Sequence, residues 1–398
     1  MSTLPSRWGA SGLAWLTGRP DGPPDFSRAA VLTLAQAVAD RLLAATGVSV
    51  DVPTMLSGRA ALLGLTRGGR VSAGRASRLL ATADGWCAIT LSRADDIDAV
   101  AALLETETVP ADPWPAVESW ATRKSAAEAT ARARLLDIPA ATLGETAAAP
   151  PLIRGAGVRS GPRAVRDMLV ADLSPMWAGP LCGRLLADGG ARVIKVESAR
   201  RPDGTRRGPR SFFDWVNSGK LSYAVDFDHD FGALSDLLAA ADVVIEGSRP
   251  AALDRRALGP HDIPARPGRV WLRITGHGAD PQHANLVAFG DDAAVSGGLV
   301  GGTKSDPVFC GDAIADPLTG LESAAAVADS LSRGGAELVE FSMAAVAATY
   351  AALPTRPHDS RCDALPPRPP AGSPPGPDLG ADNTVVDSIV AERLAARC

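Results

Sequence analysis

Asp316 lies in the string GDAIADPLTG (311–320), directly before Pro317 and just ahead of LTGLESAAAVADSL, whose apolar spacing predicts a helix. Aspartate followed by proline at a helix start is an ordinary cap and first-position pair. The same place also suits a nucleophile. The free N–H groups and the macrodipole of a helix start favour an ionised carboxylate, and those N–H groups can stabilise the oxyanion of a tetrahedral intermediate. Carboxylate attack on an activated acyl group gives a mixed anhydride that retains the energy of the bond it replaces, so acyl transfer by this route needs no ATP. The local string leaves cap and nucleophile both open. Asp312, four residues upstream, reads as a loop residue.

Other reactive side chains are scattered. Cys87, Cys182, Cys310, Cys362 and Cys398 form no CxxC pair, and the five histidines form no HxxxH or Cys/His group at zinc spacing. No metal is expected, and free thiols fit a reducing cytoplasm. The formal net charge of −5, with both signs interspersed, leaves no global field to attract nucleic acid or an anionic membrane. No apolar run reaches the roughly 18–20 residues of a membrane span, and the opening MSTLPSRWGASG lacks the charged-then-apolar order of a secretion signal. A cytoplasmic globular protein is expected, long enough at 398 residues for two domains or one large body with a lobe.

The elements that must position Asp316 are legible upstream of it. Residues 166–280 alternate strand and helix patterns: RDMLVADLS, ARVIKVES, LSYAVDFD, DVVIEGS and RVWLRITG are strand candidates, separated by helical stretches such as AGPLCGRLLAD and FGALSDLLAAA. That alternation predicts an α/β fold with a parallel sheet covered on both faces. Ligands of such a sheet sit beyond the carboxyl ends of its strands. Residues 146–165 read as a linker and residues 354–380 as a Pro-rich one; 381–398 carry apolar residues at helical spacing. There is also an internal repeat. AQAVADRLLAATGVSVDV (35–52) matches AAAVADSLSRGGAELVEF (324–341) at an offset of 289, which pairs Asp40 with Asp329 and Asp51 with Glu340. Two copies of a helix–strand unit are expected. At this offset Ser27 stands where the second copy has Asp316, so the first copy is expected to be catalytically dead.

Five ordered segments carry a resemblance. VADLSPMWAGPLCGRLLADGGARVIKVES (170–198), FFDWVNSGKLSYAVDFD (212–228), VVIEGSRPAALDRRALG (243–259), RVWLRITGHG (269–278) and GDAIADPLTG follow one another in order. In them the chain resembles the class III CoA-transferases, the family of formyl-CoA transferase, carnitine CoA-transferase and α-methylacyl-CoA racemase. The resemblance implies a Rossmann-like body with a second, smaller α/β lobe, and a nucleophilic role for Asp316. It implies coenzyme A contacts at Trp177, Ala178, Arg200, Asp226, Gly247, Ser248 and Arg255. It also implies acyl-CoA and a carboxylic acid as substrates, no tightly bound cofactor, and a homodimer. Gly247-Ser248 replaces the family's usual Asn-Phe, which removes a ring from the nucleotide site. Chemically, the planar guanidinium of Arg255 suits a phosphate best.

Residues 10–145 resemble the family's second half, so the arrangement is read as permuted. Residues 1–60 are then a degenerate repeat of the catalytic middle segment, 61–145 the small domain, 146–165 a linker, 166–353 the body, 354–380 a linker and 381–398 a C-terminal helix. Two alternatives keep the same ligand. A racemase needs an acid and a base astride one carbon; Phe289 stands in the family histidine's place, and Asp291 and Asp292, nearby, are expected to lack the neutral pKa this requires. The other alternative is a non-catalytic acyl-CoA binder. A nicotinamide dehydrogenase is disfavoured, because the first turn, DLSPMWAGP, has no G-x-G-x-x-G.

Overall fold

The structure is a computed structural model and describes residues 4–355 and 362–396; part of the Pro-rich stretch (356–361) and the last two residues of the expected C-terminal helix lie outside the described residues. In chain order, β1 (Ser77–Ala81), β2 (Trp86–Thr90) and β3 (Ala140–Thr142) pair antiparallel in a small sheet. A large sheet takes β4 (Leu152–Gly155), β5 (Leu169–Asp172), β6 (Arg192–Ser198), β7 (Leu221–Val225), β8 (Val243–Glu246) and β9 (Val270–Thr275). β10 (Val300–Thr303) and β11 (Asp306–Phe309) form a hairpin, and β12 (Glu337–Ser342) returns to the large sheet.

The large sheet has the order β4-β12-β9-β8-β5-β6-β7, and every pairing is parallel except that of β4 with β12. Counted along the chain and read from β7, its parallel strands stand in the order 3-2-1-4-5-6, so chain order reverses between β5 and β8. The crevice beyond the carboxyl ends at such a reversal is where open α/β sheets bind ligands. β5 and β8 are buried along their whole length, as central strands covered on both faces must be. Side chains alternate between the two faces. Val170, Val243, Ile245 and Leu272 enter one core with the helices Ala178–Asp188 and Ala315–Ser332. Leu169, Ala171, Val244 and Trp271 enter the other with the helices Phe231–Ala240 and Asn383–Ala395. The small sheet has its own core, including Leu80, Ile89, Val117 and Ala133. Among the described residues, no helix is long and apolar enough to cross a membrane.

The two copies of the repeat lie side by side. Helix Val31–Thr46 joins the core of helix Ala315–Ser332, and Arg41 reaches Glu322 at 3.4 Å and Asp329 at 3.6 Å. The strand half of the repeat differs. β12 has β9 and β4 as partners, whereas residues 47–51 of the first copy pair with no strand and form none. A second difference lies in the stretch read as a linker, which contains β4; its pairing with β12 makes it a strand although all four residues are exposed. Beyond residue 361 the Pro-rich segment holds no helix or strand. It is tied to the N-terminal helices and the body by Leu365 N–H to the Gly9 carbonyl (2.9 Å) and Gly376 N–H to Asp214 (2.8 Å).

Candidate active site

The loop from β5 to helix Ala178–Asp188 passes through the crevice, and buried charges fix its course. Lys195 on β6 donates to the Ser174 carbonyl and to Asp203 (2.8 Å), and both members of this ion pair are 1% exposed. Asp203 also accepts the N–H of Met176 at 3.2 Å, a residue held at φ 71°, where a side chain is disfavoured. Burial opposes both charges, yet Asp203 keeps the Lys195 ammonium above its usual pKa and Lys195 keeps Asp203 below its own. A second, fully buried pair joins Lys220 to Asp172 at the end of β5 (2.9 Å); Lys220 also donates to Asn217 (3.0 Å) and to the Pro180 carbonyl (2.8 Å). Gly183 makes room for this pair, since a Cβ there would come within 2.8 Å of the Asp172 carboxylate. The VIKVES and N-x-x-K strings are therefore framework, with their charges turned inward to shape the loop.

A helix that precedes a parallel strand starts at the strands' carboxyl ends, and helix Ala315–Ser332 precedes β12. Ile314 is its N-cap, so Asp316 and Pro317 both lie in the first turn, and Asp316 is no cap. Proline is tolerated there because first-turn N–H groups have no intrahelical acceptor. The Asp316 carboxylate, only partly open to solvent, faces the N–H of Ala178 at the head of the helix after β5, which favours its ionised form. Opposite it, a Cβ on Gly290 would lie 2.3 Å from one carboxylate oxygen, a space only glycine leaves open. Burial raises the pKa of Asp316 to about 7; Arg59 and the Ala178 N–H pull it down, while Asp291 and Asp312 push it up. The helix start does not by itself keep this carboxylate ionised, because burial and two neighbouring carboxyl groups outweigh it. Acid and carboxylate forms coexist near neutral pH.

The neighbours of Asp316 come from four separate stretches of chain. Asp312, in the loop before the helix, is fully buried and accepts from Arg59 Nη1 at 2.6 Å. Burial raises its pKa to about 6, against the pull of Arg59. Asp291 accepts the N–H of Ala313 (3.0 Å) and the hydroxyl of Ser77 (3.2 Å), and burial raises its pKa despite Arg59. Asp292, accepting from the Phe289 N–H and the Thr90 hydroxyl (both 3.0 Å), is pushed by burial to about 7. The expectation that these two carboxyl groups lack a neutral pKa is thus corrected for Asp292. Phe289 is the N-cap of helix Gly290–Ser296.

Of the residues named from the sequence, Ala178 and Asp316 meet directly, and Trp177 stands beside them. The Trp177 ring is 2% exposed and meets Phe212 (5.4 Å between centroids) and Trp215 (6.5 Å) edge-on. Gly247 packs on Ser174, where a Cβ would come within 2.9 Å of that side chain, and Ser248 follows it, half-buried. Arg200 and Asp226, just past β6 and β7, pair with each other at 3.1 Å near the surface. Arg255, exposed after the short helix Ala251–Asp254, makes no ion pair or side-chain hydrogen bond with any described residue. Sequence reading missed Arg59. It sits on helix Val52–Leu63, 253 residues from Asp312, and nothing in its Ala-rich surroundings distinguishes it from a solvated helix arginine.

The model of CoA-transferase family III matches residues 165–361, from the strand before the crevice through the helix of Asp316 and β12. Over that segment the chain is similar to CoA-transferase family III. Curated relatives of this segment include an acyl-CoA transferase of Fusarium pseudograminearum, 32% identical over 40% of this chain and 39% of the relative. A succinyl-CoA–D-citramalate CoA-transferase of Chloroflexus aurantiacus is 31% identical over 39% of this chain and 42% of the relative. The chain thus spans about two fifths of the length of these relatives. Among solved structures, a CAIB/BAIF family protein from Brucella suis is 28% identical over 48% of this chain and 56% of that one, with a TM-score of 0.44. Arg59 lies outside the family III segment.

Proposed function

We propose that the chain is an acyl-CoA:carboxylate CoA-transferase with Asp316 as its nucleophile. The observation that carries this is the placement of the Asp316 carboxylate at the head of a helix, facing the Ala178 N–H, inside a segment similar to CoA-transferase family III. An Asp316 oxygen attacks the donor thioester carbonyl; the C–S bond breaks, CoA leaves as thiolate, and an aspartyl-acyl anhydride remains. The thiolate then attacks the aspartyl carbonyl, which frees the donor acid and leaves an aspartyl-CoA thioester. The acceptor carboxylate attacks that thioester, CoA leaves again, and its return to the acceptor's acyl carbon regenerates Asp316. No proton is gained or lost over the cycle. The Ala178 N–H is placed to steady the oxyanion when the aspartyl carbonyl is attacked. The crevice between β5 and β8 is where we put the CoA nucleotide, with Gly247 and Ser248 at its wall. Arg255, exposed and unpaired among the described residues, is open to a phosphate, and Arg200 would exchange its Asp226 partner for one.

The test is chemical. Incubation with acyl-CoA, then hydroxylamine, is expected to mark Asp316 as a hydroxamate in a peptide map, and CoA without an acyl group is expected to raise the melting temperature. A mark on another residue would overturn the assignment. Stabilisation by CoA without turnover of any acyl-CoA would favour a binder that does no chemistry.

The permuted layout belongs to the same proposal, with residues 1–60 as a repeat of the catalytic middle and 61–145 as the family's small domain placed first. So does a homodimer. Its support on this chain is β4, an edge strand with Leu152 49% and Ile153 45% exposed, a surface that a second copy can cover. Light scattering at micromolar concentration is expected to give twice the chain mass of 40.8 kDa; a value near one chain mass removes the dimer and leaves the repeat as an internal substitute for a partner.

A further inference from the structure

We propose that Arg59, carried into the site by the N-terminal repeat, is a positioning residue that keeps Asp316 in its reactive, ionised form. The inference rests on Asp316 as nucleophile and adds a role for a part of the chain that otherwise reads as a dead copy. Three carboxyl groups face one another here, Asp291, Asp312 and Asp316, and among the described residues Arg59 is the cation that acts on all three. Its guanidinium is held from two sides. Nη1 donates to Asp312 at 2.6 Å, and the Trp177 and Phe212 rings flank it, with centroids 5.5 and 5.4 Å from Cζ. A fixed cation in a partly dehydrated site acts more strongly than a solvated one. The other groups toward Asp316 are the Ala178 N–H, which also favours the carboxylate, and Asp291 and Asp312, which oppose it. Removing Arg59 therefore leaves a carboxylate among carboxylates.

The charge belongs to the first copy of the repeat alone. The offset of 289 puts Ala348 at the equivalent place in the second copy, on helix Met343–Ala351 and 5% exposed. A degenerate copy kept only for packing has no need of an arginine at this position. Arg59 touches no reacting atom in the proposed cycle; it acts through Asp316.

The experiment reads the protonation of Asp316 apart from turnover. A water-soluble carbodiimide with an amine labels protonated carboxyl groups, and the pH at which half of Asp316 is labelled, followed by peptide mass, reports its titration. In Arg59→Met the midpoint is expected to rise by about 1–3 pH units, the usual effect of losing a nearby opposite charge, and the acid limb of kcat/KM to rise with it. Arg59→Lys is expected to restore most of both shifts. Asp312→Asn, which removes a carboxylate and frees the guanidinium, is expected to lower the midpoint and serves if Arg59→Met does not fold. An unchanged midpoint in a folded Arg59→Met protein, or in Asp312→Asn, overturns the proposal. A midpoint that shifts in a protein without transferase activity keeps the role of Arg59 and rejects the transferase instead.

Discussion

Asp316→Asn is expected to bind CoA as the wild type does and to lose transferase activity by several orders of magnitude. The amide keeps the size of the side chain and an oxygen for the Ala178 N–H, but it cannot form an anhydride or an acyl thioester with CoA. The position of Asp316 in the first turn removes one complication: no cap is lost, so the variant isolates the chemistry. A second consequence has the opposite sign. The folded pKa of Asp316 is raised to about 7 by burial and by Asp291 and Asp312, above the usual aspartate value of about 3.9. For a raised pKa, the folded state holds a proton the unfolded chain has released, so stability is fullest below about pH 4 and is lost as pH rises toward 7. The Asn variant does not carry this penalty. At pH 8 it is expected to be more stable than the wild type, by about 4 kcal/mol, and at pH 4 about equally stable. Wild-type kcat/KM is expected to rise with pH through the same range, as the carboxylate becomes the main form. Retention of activity in Asp316→Asn, or a variant no more stable than wild type at pH 8, contradicts the placement and chemistry given to this residue.

Lys195→Met is expected to cost about 3–5 kcal/mol, the penalty for leaving one member of a buried ion pair without its partner. The stranded charge is Asp203, which also accepts from Met176 and from both the N–H and the hydroxyl of Thr205. Met176 sits at φ 71° because Asp203 and the Ser174–Lys195 contact hold the chain there. Losing Lys195 therefore slackens the loop that aims the Ala178 N–H at Asp316, and activity is expected to fall along with the urea midpoint. Adding Asp203→Leu to Lys195→Met removes the stranded charge and is expected to recover part of the stability, though not the loop's shape. If the single variant unfolds at the wild-type urea concentration, the buried pair does not hold the loop.

The five strands from β5 to β9 were legible because buried parallel strands are apolar runs, and a run such as DVVIEGS has no other use for its β-branched residues. Lys195 and Lys220 lie within or beside such runs, and a charge in a buried strand is a sign that a partner exists, though the string does not say which one. β4 was not legible. Its four residues, LIRG, sit among prolines and glycines with all four exposed, so only its backbone pairing with β12 defines it. The strand after helix Val31–Thr46 was expected and does not form, because strand propensity takes effect through pairing and residues 47–51 pair with no strand. The start of the helix before β12 was placed late because proline is accepted anywhere in a first turn, so Pro317 marks the turn without marking the residue. Arg59 left no trace in the sequence at all, since what matters about it is the pair of rings and the carboxyl groups it meets, every one of them more than a hundred residues away.

The long reach from Arg59 to Asp312 also sets the order in which the site can exist as the protein is made. The two are 253 residues apart, and a ribosome adding about 5–20 residues per second needs on the order of 10–50 s to pass from one to the other. Through that interval helix Val31–Thr46, whose Leu32, Ala35, Val38 and Leu42 end up buried against the later helix, has emerged without its cover. The nascent chain must shield this apolar stripe until its later counterpart arrives. The carboxyl groups of the site and the arginine that balances them meet only once synthesis has passed Asp316.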